Sequence, residues 1–144
     1  VPSLSEWPAK IKEASASEVA TCTVDYFPTI LDILSLEMPD ERPLDGVSLL
    51  PLIEGTMTER SKPLGFHIQG KAAWHDGSFK AIRDASKKGK NEPKSDPWEL
   101  YDLSQDPTDS NDLASQHPEK LQAMTAAWSE WKASVEASDK GADY

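Results

Sequence analysis

Five aspartates lie in or next to the stretch from Trp98 to Ala114, a density of carboxylates that would suit a cation site, a catalytic acid cluster or an acidic turn. They are Asp96, Asp102, Asp106, Asp109 and Asp112. An EF-hand calcium loop needs the pattern D-x-[DN]-x-[DN]-G and a glutamate at position twelve, so that its oxygens converge on one ion. Starting from Asp106 the sequence reads D-P-T-D-S-N, which has the wrong residues at the third and sixth positions. The pattern therefore excludes an EF-hand loop.

A catalytic pair of carboxylates is the second interpretation of these acids. Such a pair must be held close together in a site that is shielded from water. These aspartates instead lie in a polar segment without apolar neighbours. Asp106 and Pro107 are typical of a turn, and Asp109, Asn111 or Asp112 could cap a helical turn at "LASQ". We therefore interpret the aspartates as structural, and we predict no catalytic residue among them.

Histidine and cysteine are the other residue types that could carry chemistry. His67 and His75 fall in or beside adjacent predicted strands, where two imidazoles could bind a metal ion or transfer protons. No third ligand stands at a suitable spacing, neither histidine has an evident orienting partner, and we predict no metal site. Cys22 has no neighbouring positive charge that would favour a reactive thiolate, so we interpret it as a small, half-buried residue.

The first part of the chain, residues 1–60, is predicted to contain an extended segment and two helices but no sheet. In "TVDYFPTILDILSLEM" apolar residues recur at helical spacing, with Asp25 expected to cap the helix through its carboxylate. The same construction recurs in "DGVSLLPLIEG", where Ser48 is the expected cap and Gly55 ends the helix. A segment with an apolar stripe and no sheet is expected to pack against material outside this chain.

The second part, residues 61–144, is predicted to be a small antiparallel sheet covered by a long C-terminal helix, which makes the fold class α+β. Short strand-like runs occur at "LGFHIQG", "KAAWHDG", "SFKAIRD" and "WELYDL", and the Asp76-Gly77 pair predicts a hairpin. The helix is expected to begin near Pro118. Its apolar stripe follows 3-4 spacing through Leu121, Met124, Trp128, Trp131 and Val135.

Charge and composition exclude several classes of protein. The chain has 144 residues and a net charge of −10, so we expect it to bind neither nucleic acid nor an anionic membrane surface. Its single cysteine excludes an internal disulfide framework, and its apolar runs are too short to span a bilayer. It begins with neither an initiator methionine nor a signal-peptide pattern, so we expect it to be part of something longer.

Four stretches, taken in order, resemble the C-terminal portion of type I sulfatases of the arylsulfatase and N-acetylgalactosamine-6-sulfatase kind. They are "VPSLSEWPAKI", "TVDYFPTILDIL", "RPLDGVSLLPLIEG" and "WELYDLSQDPTDSNDLA" followed by a helix. Each motif alone is weak, but four in the right order cover nearly the whole chain. The resemblance implies the C-terminal part of an alkaline-phosphatase-like enzyme that hydrolyses sulfate esters of aryl compounds or sugars.

The resemblance also implies cofactors and partners. A parent enzyme of this family needs calcium and a formylglycine made from the cysteine or serine of a C/S-x-P-x-R motif, and it is periplasmic or secreted. Cys22 is followed by Thr-Val-Asp and does not fit that motif. We therefore expect no cofactor in this chain, no activity from it alone, and the remainder of the catalytic domain as its partner. Loops of the small subdomain border the substrate in this family, which makes His67 and Gln69 candidates for contacts with a sulfated small molecule or glycan.

A binding module for a sulfated glycan is the alternative interpretation of the chain. The segment "SKKGKNEPK" is basic, and Lys87, Lys88 and Lys90 could form a local anion-binding patch. The net charge of −10 argues against this alternative.

Overall fold

The computed structural model describes residues 3–38, 40, 42–84 and 97–142 of the chain. The chain divides into two compact units, Val1–Lys62 and Pro63–Tyr144. The boundary predicted from the sequence lies between residues 60 and 61. In the described residues no helix is both long enough and apolar enough to cross a bilayer.

The first unit contains two short helices and, among its described residues, no strand. A 3₁₀ turn, Thr23–Asp25, leads into helix α1, Tyr26–Ile33, and helix α2 spans Leu50–Ile53. Gly55 follows α2 with a φ of 74°, the left-handed conformation that glycine adopts without strain, as the sequence predicted. Ser48 lies outside α2, and its hydroxyl accepts a hydrogen bond from the backbone N–H of Leu50 at 3.2 Å.

Asp25 occupies the N-cap position of α1, but its carboxylate does not cap the helix, and this part of the prediction is wrong. The carboxylate instead accepts the backbone N–H groups of Cys22 at 2.7 Å and of Val47 at 2.9 Å. Its two oxygens also accept one bond each from the guanidinium of Arg60, both at 2.7 Å. The fully buried Asp25 therefore caps the 3₁₀ turn through Cys22 and joins it to the segments of Val47 and Arg60, instead of capping α1 itself.

The apolar stripe of α1 is largely uncovered within this unit. Large apolar side chains that are between 38% and 58% exposed follow one another along this segment. They are Val24, Tyr26, Phe27, Ile30, Ile33, Leu34 and Leu36. An exposed patch of this kind is typical of a surface that packs against another part of a protein.

The second unit contains a four-stranded antiparallel sheet with the strand order β1-β2-β3-β4. Two hairpins with two-residue turns connect the first three strands. Gln69 and Gly70 form the first turn, and both have a positive φ, as a type I′ turn requires. Gly77 and Ser78 form the second turn, which confirms the predicted hairpin one residue further along. The strands are β1, Leu64–Ile68, β2, Lys71–Asp76, β3, Phe79–Asp84, and β4, Glu99–Asp102.

Helix α3, Pro118–Asp139, covers one face of this sheet and forms the core of the unit with it. The buried core residues are Ala72, Trp74, Ala81, Leu100, Met124 and Trp128. Gly65 lets the helix approach closely, because a Cβ atom there would lie 2.5 Å from the indole of Trp131. Val135, the last residue of the predicted stripe, is 39% exposed. A 22-residue helix is about 33 Å long and six-residue strands about 20 Å, so the helix outruns the sheet.

Candidate functional site

His67 lies on β1, on the face of the sheet that α3 covers. Its position follows from the register, since it pairs with Ala72, a core residue on that face. The imidazole is exposed and meets the indole of Trp128 edge to face, with ring centroids 5.8 Å apart and an interplanar angle of 66°. The indole thus orients an imidazole that remains accessible to a ligand.

Gln69 lies in the turn between β1 and β2, two residues beyond His67. Its φ of 47° is unusual for a residue with a side chain, and the exposed amide stands at the end of the hairpin. Because the turn continues directly from β1, Gln69 and His67 lie at the same end of the sheet. The structure thus places the two predicted substrate-side residues at one end of the sheet.

His67 and His75 do not form a pair, so the hypothesis of a shared metal or proton site is wrong. His75 pairs with Leu64 across the hairpin, whereas His67 pairs with Ala72, and these two pairs lie an odd number of positions apart. Successive side chains on a strand point to opposite faces, so the two imidazoles lie on opposite sides of the sheet. Among the residues that the structure places, no group of three or more His, Cys, Asp or Glu side chains could hold a metal ion.

Asp102, Asp106 and Asp112 act as local hydrogen-bond acceptors, as the structural interpretation predicts, whereas Asp109 pairs with the distant Lys80. Asp106 accepts the backbone N–H groups of Thr108, Ser110 and Asn111 and so organises the turn after Pro107. Asp102 accepts the backbone N–H of Ser104 in the same way. The bond from the Ser104 hydroxyl, together with that backbone N–H, holds the pKa of Asp102 below its usual range, and the bond from the Asn111 N–H chiefly does so for Asp106. Asp96 lies outside the described residues.

Asp112 has two roles, of which the sequence predicted one. Its carboxylate accepts the backbone N–H of Ala114 at 2.9 Å and so caps the helical turn, as expected. The same oxygen accepts the backbone N–H of Leu100 in β4 at 3.0 Å. Asp112 therefore ties the acidic turn to the edge strand of the sheet, a contact that no local sequence pattern indicates.

The face of the sheet opposite α3 carries a polar cluster around Tyr101. Burial of the phenol, together with its hydrogen bond to Glu99 and the nearby charges of Asp112 and Asp109, raises the pKa of Tyr101 to about 12. Asp109 forms an ion pair with Lys80. A phenol with this pKa stays protonated at neutral pH, so Tyr101 can donate a hydrogen bond but does not act as a base.

Arg83 and Trp98 lie at the same end of the sheet as His67, and the sequence analysis did not single them out as site residues. Arg83 is in the same cross-strand row as His67, because both pair with Ala72, and Trp98 immediately precedes β4. The guanidinium carbon lies 5.2 Å from the centre of the Trp98 ring and 5.3 Å from that of Trp128. A strand register drawn through "LGFHIQG", "KAAWHDG" and "SFKAIRD" would have placed Arg83 in one cross-strand row with His67, two strands away.

The described residues do not fit the cofactors that the resemblance implies. The sequence after Cys22 lacks the proline and arginine of the formylglycine motif, and its backbone N–H is bound to Asp25. The described part of the chain also lacks a cluster of acidic ligands for calcium. The basic patch of the alternative interpretation, Lys87, Lys88 and Lys90, lies outside the described residues.

Curated relatives of this chain are sulfatases. The mouse steryl-sulfatase is 28% identical over an alignment of 155 positions, which covers 88% of this chain and 25% of the relative. The N-acetylglucosamine-6-O-sulfatase of Bacteroides thetaiotaomicron is 28% identical over 125 residues, which cover 78% of this chain and 21% of the relative. The chain thus spans about a quarter of the length of these relatives.

Solved structures and a family model agree with these relatives. A protein solved in complex with its substrate, D-glucosamine-2-N,6-O-disulfate, superimposes with a TM-score of 0.55 at 22% identity, over 80% of this chain and 24% of that one. The likeness supports the α+β fold with a small antiparallel sheet and a C-terminal helix. The family model described as N-sulphoglucosamine sulphohydrolase, C-terminal, matches residues 1–133. The chain therefore belongs to this family of C-terminal sulfatase domains.

Proposed function

We propose that this chain is the C-terminal portion of an enzyme that hydrolyses sulfate esters, and that it does not catalyse the reaction by itself. The observation that carries the proposal is the family match over residues 1–133 in a chain that spans about a quarter of its relatives. The remaining three quarters would supply the nucleophile and the cation, that is, the formylglycine and the calcium ion. An enzyme of this kind would be periplasmic or secreted.

The remainder of the catalytic domain is the proposed partner, and each unit has a surface that suits it. In the first unit this surface is the exposed stripe of α1, on which Phe27, Ile30 and Leu34 are each more than 50% exposed. In the second unit it is the outer end of β1 on the face opposite α3, where Phe66 is 45% and Ile68 is 65% exposed. Burying these side chains would remove apolar area from water and so stabilise the assembled enzyme.

His67 and Gln69 are proposed to contact the sulfated substrate, which we take to be a sugar sulfate. Both are exposed at one edge of the sheet, and His67 is oriented by Trp128. An imidazole and a carboxamide are suited to hydrogen bonds with sugar hydroxyls and sulfate oxygens. The family model and the relative from Bacteroides are both named for amino-sugar sulfates, and we take the family model as the guide to the substrate class, although the mouse relative is a steryl-sulfatase.

The residues encoded immediately upstream of this chain test the proposed function. We expect a C/S-x-P-x-R motif in the same reading frame, because the chain carries no such motif of its own. An upstream reading frame without this motif would contradict the proposal.

Replacing His67 with alanine in the enzyme encoded by the whole reading frame tests the substrate contact. We expect the KM for a sugar sulfate to rise about tenfold with little change in kcat, because a uniform binding contact is lost. His117→Ala is the matched control, since His117 is also exposed and packs edge to face on an aromatic ring, Phe79. Equal KM values for the His67→Ala enzyme and the unmodified enzyme would show that His67 does not contact the substrate.

A further inference from the structure

Arg83 differs from the other two arginines of the chain in having no acidic partner among the described residues. Arg60 is bound by Asp25 and Arg42 by Asp40, in both cases through two guanidinium nitrogens. In the part of the chain that the structure describes, no carboxylate bonds to Arg83. Arg83 is half-buried, and none of its nitrogen atoms is both buried and unpaired.

The two indoles of Trp98 and Trp128 hold the Arg83 guanidinium in place. The rings stand at 67° to one another with their centroids 5.2 Å apart, and the cation lies against both. The contact with two aromatic faces stabilises the positive charge and restricts the side chain. A planar fork of donors that is already ordered loses little entropy when it binds an anion.

Other basic groups surround the same indole. The imidazole of His67 contacts Trp128, and the ammonium of Lys132 lies 6.0 Å from the centre of its ring. Lys132 is paired with Glu136, whereas no carboxylate among the described residues bonds to Arg83. In a chain with a net charge of −10, this local excess of basic groups favours an anionic ligand over a cationic one.

The distance between His67 and Arg83 suits a sugar that carries an anionic group. His67 and Arg83 are two strands apart in one cross-strand row, a separation of about 10 Å between their backbones. A hexose with one sulfate substituent spans a comparable distance. Half-buried Trp98 adds an aromatic surface of the kind on which sugars stack.

We propose that Arg83 binds the sulfate group of a sulfated sugar through its guanidinium N–H groups, with Trp98 and His67 beside the sugar ring. This inference rests on the proposed function for the class of ligand. It adds a specific residue for the sulfate group, where the proposed site has only His67 and Gln69. A guanidinium matches the oxygens of a tetrahedral anion with two parallel hydrogen bonds, which an ammonium group does not reproduce.

Titration of the 144-residue chain with glucosamine 6-sulfate, followed by the indole N–H signals in an NMR spectrum, tests the proposal. We expect saturable shifts of the Trp98 and Trp128 signals and none of the Trp7 signal. Arg83→Lys is expected to raise the Kd about tenfold or more although it keeps the charge. Arg42→Lys is the matched control and is expected to leave the Kd unchanged, because Arg42 is bound to Asp40.

Several results would overturn the inference. They are an unchanged Kd in Arg83→Lys, shifts at Trp7 instead of Trp98 in the unmodified chain, and equally tight binding of glucosamine or inorganic sulfate. Equal binding of glucosamine 6-phosphate would also overturn it, because the site would then accept any sugar anion. The readings on the unmodified chain stand even if a variant fails to fold. If the chain binds the sugar sulfate specifically but no C/S-x-P-x-R motif is encoded upstream, only the proposed function is wrong. If the motif is present but Arg83→Lys leaves the Kd unchanged, only this inference is wrong.

Discussion

Replacing Asp25 with asparagine is expected to destabilise the first unit by about 3–5 kcal/mol, because it leaves the buried Arg60 guanidinium without its counter-charge. The side chains of Asp25 and Arg60 are 0% and 7% exposed. Arg60 Nε already lacks a hydrogen-bond partner, so the carboxylate is its main source of compensation. Hydrogen exchange at the Val47 amide, which donates to Asp25, measures the effect locally, and we expect its protection to fall about a hundredfold or more.

Asp40→Asn is the matched control for this substitution. Asp40 also binds an arginine through two guanidinium nitrogens, but the side chains of this pair are 34% and 40% exposed. An exposed pair of this kind contributes about 0–1 kcal/mol, so protection at Val47 is expected to stay nearly unchanged. Similar losses of hydrogen-exchange protection at Val47 in Asp25→Asn and Asp40→Asn would contradict a special role for the buried pair.

The effect of Asp25 also depends on pH. Burial alone would raise the pKa of Asp25, but the hydrogen bonds from Arg60, Val47 and Cys22 and the charge of Arg60 outweigh it and hold the pKa below its usual value. A carboxylate with a lowered pKa stabilises the fold above the unfolded-state value of about 3.9. This contribution is lost as the pH falls through the folded-state pKa. The difference between the unmodified chain and Asp25→Asn is therefore expected to narrow below about pH 4.

Replacing Trp128 with alanine is expected to destabilise the second unit by about 3–5 kcal/mol. The indole is 5% exposed, belongs to the core cluster and packs against Trp98. Its Nε1–H also donates to the backbone carbonyl of Phe66 at 3.1 Å, and the substitution leaves that acceptor without this bond. Urea denaturation followed by circular dichroism measures the loss as a lower midpoint at an unchanged slope.

Val135→Ala is the control on the same helix. Val135 was predicted to belong to the apolar stripe, yet it is 39% exposed. Its truncation is expected to change the free energy of unfolding by about 0.5 kcal/mol or less. A loss of less than about 1 kcal/mol for Trp128→Ala would mean that the indole is not a core residue.

The elements of the second unit could be predicted because their signals are local. The signals for four short strands, for a hairpin near Asp76-Gly77 and for the 3-4 apolar spacing of α3 are each contained in a few consecutive residues. Predicting the register of the strands also requires the length of each turn. A two-residue turn at Gln69 and Gly70 fixes the parity of the pairing, and this parity alone places His67 and His75 on opposite faces.

The features that could not be predicted depend on residues far apart in the sequence. Asp25 and Arg60 are separated by 35 positions, and Asp25 also matched the local pattern of a helix cap. The grouping of His67, Arg83 and Trp98 likewise arises only when four strands are aligned side by side. Local patterns report local structure, whereas a buried ion pair or a ligand-binding edge is a property of the assembled fold.

Calcium-dependent release of sulfate from a panel of sugar and aryl sulfate esters, measured for this chain and for the product of the whole reading frame that encodes it, tests the central claim most directly. If the chain is the non-catalytic C-terminal portion of a sulfatase, the whole product releases sulfate and the 144-residue chain alone does not. Sulfate release by the isolated chain, or none by the whole product, would contradict the claim.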